Sequence, residues 1–79
     1  MTPLDARPLK RSVTLHGHRT SISLEEPFWA AFRRLAQKDG KGLNALAAEI
    51  DDARGDVGLA TAIRLHVFDA ALRGDIPQD

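Results

Sequence analysis

The chain has 79 residues, with 11 Lys or Arg against 11 Asp or Glu, so its formal net charge is zero. This size predicts a single domain with a limited core, and the absence of cysteine removes disulfides and thiolate zinc sites as reinforcement. The balanced charge argues against an indiscriminate polyanion binder, and no apolar run approaches the roughly 18 residues of a membrane span.

Residues 1–9 carry Pro3 and Pro8 without periodicity and are expected to form a flexible arm. Residues 10–24 read as extended, with a break in phase. Val13 and Leu15 are apolar at odd positions, Ile22 and Leu24 at even ones. A strand has a strict period of two, so one face cannot hold both pairs without an interruption, and Gly17 lies where it is needed. The second half is expected to bury Thr20, Ile22 and Leu24 and to show Arg19, Ser21 and Ser23 outward.

Pro27 suits the start of a first helix, and Glu25 and Glu26 lie beside its positive end. Phe28, Ala31, Phe32 and Leu35 form its apolar stripe, Trp29 is expected in the core, and Gly40 is the stop. A second helix follows the turn "GKG", with Leu43, Leu46, Ala47 and Ile50 as its stripe and Arg54-Gly55 as its end. The third runs over 57–73 and has two stripes: Leu59, Ile63, Val67 and Ala70, then Leu65, Phe68 and Leu72. A helix apolar on two sides has two partners. Residues 74–79 close the chain as a tail.

Residues 1–24 carry Arg7, Lys10, Arg11 and Arg19 against Asp5 alone, and the remaining acids outnumber the remaining bases. The strand segment is therefore the positive part of a neutral chain, which suits an anionic partner. A lone strand needs a partner for its main-chain groups. "KRSVTL" can fold back through His16-Gly17-His18, or residues 18–24 can pair with the same strand of a second molecule. The second arrangement also supplies missing core and is the one expected.

"KRSVTLHGHRTSISLEEPFW", followed by "LAQKDGKGLNALAAEID" and "LATAIRLHVF", resembles the ribbon-helix-helix family of DNA-binding proteins, and more narrowly its small bacterial members. The resemblance spans residues 10–68. It implies a mostly α fold with one N-terminal β-strand: an intertwined homodimer with an intermolecular two-stranded antiparallel ribbon, plus an extra C-terminal helix. It further implies a transcriptional regulator whose ribbon enters the major groove of double-stranded DNA. Arg19, Ser21 and Ser23 would meet bases. The helix N-terminus at Gly42, Leu43 and Asn44, with Lys41, would hold a phosphate, and Lys10 and Arg11 would add attraction. Tetramer formation through residues 57–73 is an option. The alternatives are the antitoxin of a toxin–antitoxin pair and a dimerisation module that does not bind DNA.

His16 and His18 make only a two-ligand set, and no base-and-orienter constellation accompanies Ser21 or Ser23. No metal, no cofactor and no enzymatic activity are expected, and a soluble cytoplasmic location is.

Overall fold

The computed structural model describes residues 7–77, in the order β1 (Pro8–Leu15), β2 (His18–Glu25), α1 (Glu26–Lys38), α2 (Leu43–Ala53) and α3 (Leu59–Leu72). The two strands form one antiparallel hairpin, in register from Leu15 opposite His18 to Pro8 opposite Glu25. Expectation and structure part here in two ways. There are two strands where one was expected, and β2 takes its partner from within its own chain rather than from a second molecule. The cause is local. His16 and Gly17 both have positive φ, 49° and 82°, the two-residue turn whose twist matches that of paired strands. With the turn in place, β1 satisfies one edge of β2 at almost no loop-closure cost. The phase break at Gly17 is thus the reversal of the chain, which puts Val13 and Ile22 on one face.

Residues 1–6 of the expected arm lie outside the described residues, and Pro8 and Leu9 belong to β1. Residues 78 and 79 of the expected tail also lie outside them. Residues 74–77 turn back along the helices: Lys38 Nζ donates to the Asp75 carbonyl at 2.9 Å, and Ile76 packs against the core.

α1 begins at Glu26, one residue before the expected Pro27, and Glu25 is its N-cap. It ends as Gly40 predicts. Gly40 has φ 67°, its N–H donates to the Gln37 carbonyl, and the Lys41 N–H reaches back to that of Ala36. The buried face of α1 is Trp29, Phe32, Leu35 and Ala36, with Phe28 and Ala31 half-buried at its margin. It is rotated from the expected stripe because the indole of Trp29, not Phe28, goes under the ribbon. Val13, Ile22 and Leu24 from the ribbon join Trp29, Phe32, Leu46, Ala47, Ile63 and Val67 in one core, and no charged or polar residue is buried among the described residues. The indole N–H donates to the Leu9 carbonyl at 2.9 Å, so the one polar atom that Trp29 carries inward is paired.

Candidate nucleic-acid interface

Alternation fixes which ribbon side chains face away from the helices. Val13, Ile22 and Leu24 are buried, so the positions between them form the opposite face. The register sets these in cross-strand pairs: Lys10 with Ser23, Ser12 with Ser21, Thr14 with Arg19. Arg19 and Ser21 are exposed, as the alternation of residues 18–24 predicts, whereas Ser23 on the same face and Thr20, expected inside, are both half-buried. Lys10, Ser12 and Thr14 complete the face. Of these Ser12 and Thr14 were not anticipated, because their place depends on the hairpin. The result is a small shelf of four hydroxyls with one cation near each end. Neither Lys10 nor Arg19 has a hydrogen bond or ion pair among the described residues.

Arg11 is elsewhere. It belongs to the core-facing set of β1, with its guanidinium 5.8 Å from the centre of the Trp29 ring and Nη2 3.5 Å from Glu26 Oε2. It covers the indole as a cation over an aromatic face rather than joining Lys10 outside.

The carboxylates at the end of the ribbon are taken up by arginines. Arg64 of α3 donates to Glu25 from Nε and Nη2 at 2.9 and 3.1 Å, and from Nη2 to the Ser23 carbonyl at 3.3 Å. The Arg64 hydrogen bond, more than any other influence, holds the Glu25 carboxyl below its ordinary value of 4.5. Glu26 lies between Arg11 and Arg33, at 3.5 and 3.4 Å. The repulsion that Glu25 and Glu26 would offer a polyanion is therefore reduced by neighbours far away in sequence.

α2 lies along the outer edge of β1. Its N-cap, Gly42, offers no side-chain oxygen, so the first-turn N–H groups, those of Leu43 and Asn44 among them, stay free for an anion. Arg33, Lys41, Gly42 and Leu43 line an open recess of about 290 Å³ there. Lys41 Nζ is 2.7 Å from a Glu49 oxygen, a hydrogen bond that raises the lysine pKa, so its charge is partly spent within the chain. Asn44 Oδ1 accepts the Thr14 N–H at 3.0 Å, which ties this helix end to the shelf. At the other end of α2, His16 Nε2 is 2.9 Å from Asp52 Oδ1. The sequence offered His16 and His18 as a pair, but the fold sets His16 beside Asp51 and Asp52, ligating atoms within 4.8 Å of one another. Asp51 already holds the Arg54 Nε at 2.7 Å.

Because the Thr14 N–H points away from β2, Thr14 and Arg19 are a pair without mutual hydrogen bonds, as are Ser12 with Ser21 and Lys10 with Ser23. The main-chain groups of Arg19, Ser21 and Ser23 therefore point to the outer edge of β2. Of these, the Ser23 carbonyl meets Arg64; those of Arg19 and Ser21 have no partner among the described residues. The β1 edge is covered by α2, and the β2 edge is open at Arg19 and Ser21.

A two-stranded antiparallel ribbon with a polar outer face, followed by helices, is consistent with the ribbon-helix-helix class. The chain belongs to the ribbon-helix-helix domain family, whose model matches residues 8–71. Domains of this family are typically DNA-binding regulators or antitoxins and bind DNA as dimers. Among solved structures, an uncharacterised protein from Bordetella pertussis Tohama I is similar over 94% of this chain, with 28% identity and a TM-score of 0.72. The match covers 66% of that protein, just under two thirds of its length. No curated protein matches significantly.

Proposed function

We propose that the protein is a cytoplasmic, homodimeric transcriptional regulator that sets its ribbon in the major groove of DNA. The outward shelf carries this reading: two cations without internal partners, on a hydroxyl-rich ribbon, next to a helix end with free N–H groups. Arg19 suits bidentate recognition of guanine, while Ser21 and Ser23 accept or donate and discriminate weakly. Ser12 and Thr14 join them, Lys10 adds attraction, and the N-terminus of α2 at Gly42, Leu43 and Asn44 holds a phosphate beside Lys41. Arg11 is left out of the contact set because Trp29 and Glu26 engage it. The open edge of β2 takes the same edge of a second copy, which doubles the shelf about a two-fold axis.

The test is binding to random-sequence duplex DNA at two salt concentrations. Affinity should fall steeply with salt, with a log–log slope of about −0.9 per phosphate contacted. Arg19→Ala should lose about tenfold or more in affinity with the fold intact, on the order of the 1–3 kcal/mol of a bidentate base contact. No binding at low salt, or binding indifferent to salt, removes the reading.

The antitoxin reading draws on a separate feature, the exposed Leu65, Phe68 and Leu72 of α3. It requires a small protein that co-purifies with the chain and is released by changes on that helix.

A further inference from the structure

Away from the outward face of the ribbon, the fold gathers three metal-ligating side chains that the sequence keeps apart. His16 stands at the tip of the hairpin. Asp51 and Asp52 lie in the last turn of α2, and Asp52 is 36 positions along the chain from His16. One ligand atom of each lies within 4.8 Å of the other two, and His16 Nε2 is 2.9 Å from Asp52 Oδ1. A divalent ion bound to nitrogen and oxygen at about 2.0–2.2 Å sets its ligands roughly 3–4.4 Å apart. Small rotations of these side chains close the set to that size. Their carriers are fixed: the turn by the pairing of Leu15 with His18, the two carboxylates by the helix.

We propose that His16, Asp51 and Asp52 bind one divalent transition-metal ion of the Zn²⁺ kind, with water in the remaining positions. The donor set selects that class. An imidazole nitrogen beside two carboxylates suits Zn²⁺ and its neighbours, whereas Mg²⁺ and Ca²⁺ take oxygen ligands. The charge agrees. Two carboxylates match a divalent ion, and they stand at the negative end of the α2 dipole, in a last turn that holds no basic residue. Arg54, the C-cap, offsets one of them: its Nε donates to Asp51 Oδ1 at 2.7 Å and its Nη1 to the Val57 carbonyl at 2.8 Å. The second Asp51 oxygen is the one offered to the ion. On binding, the ion takes the place of the hydrogen between His16 Nε2 and Asp52 Oδ1, and the imidazole keeps its proton on Nδ1. The bound ion is a cross-link. α2 is already tied to β1 at its start, through Asn44 and Thr14, and the ion fastens its other end to the hairpin. That is the reinforcement a small chain without cysteine otherwise lacks. The inference goes beyond the reading of the ribbon and holds whether or not the ribbon binds DNA.

Calorimetric titration of the EDTA-stripped full chain with zinc chloride tests it. One ion should bind per chain, and excess Mg²⁺ should not displace it. His16→Asn and Asp52→Asn should each lose about tenfold or more in zinc affinity, with an unchanged circular dichroism spectrum. His18→Asn and His66→Asn, which leave the three ligands in place, should bind as wild type does. Zinc should raise the melting temperature of the wild type and not that of His16→Asn, while the two proteins melt alike in EDTA. The absence of saturable binding, equal zinc affinity in wild type and His16→Asn, or a loss that follows His18 or His66 instead overturns the inference. None of these outcomes bears on the ribbon, whose test is the salt-dependent binding lost in Arg19→Ala.

Discussion

Gly17 has φ 82° and nothing within 4 Å of where a Cβ would stand, so a side chain there meets no neighbour but does meet its own backbone. Gly17→Ala should cost about 1–2 kcal/mol, the penalty of the left-handed region for an L-residue, read from urea unfolding. His16 already bears part of that penalty at φ 49°. Asparagine enters this region more easily, and the exposed contact of His16 with Asp52 contributes little. His16→Asn should therefore leave stability unchanged or slightly raised in the same experiment. At Glu25 the sign is set by Arg64. The folded carboxyl has a lowered pKa, so its stabilisation is present above 4.5 and is lost as pH falls through the depressed folded value. Glu25→Gln should lower the melting temperature at pH 7, and the gap to wild type should narrow as the pH falls below 4.5 and close once it has passed the depressed folded value.

At the level of elements, the two edges of the ribbon are unequal, and that inequality governs pairing. α2 covers β1 and secures Thr14 through Asn44, so Asn44→Ala should cost about 1 kcal/mol, a typical net hydrogen bond, in equilibrium unfolding. An open strand edge pairs with another strand unless something blocks it. Much of this could be read from the residues alone. The alternation of Thr20 to Leu24 identified the outward Arg19 and Ser21, the shift of apolar phase marked Gly17, and Gly40 marked the end of α1. The choice between two partners for the strand could not be read there, because both satisfy the same main-chain groups and only the geometry of the turn decides. The pairing of Arg64 with Glu25 across 39 positions, and the placing of Arg11 over Trp29, also depend on how α3 and α1 dock under the ribbon. Periodicity carries no information about either.

For the molecule as a whole, Trp29 is the hinge between ribbon and helices. It is fully buried, packs against Phe32 with ring centres 6.3 Å apart, and carries the hydrogen bond to β1. Trp29→Ala should destabilise by about 3–5 kcal/mol, measured by thermal unfolding, a large share of what a domain this size has. The Thr14–Asn44 bond has a consequence at the same scale. It joins the tip that would probe base edges to the helix end that would grip the strand's phosphate, like the two jaws of a caliper. A caliper reports width before it reports sequence. Under the DNA-binding reading, an A-form duplex, whose major groove is too deep and narrow for the ribbon, is refused whatever its bases.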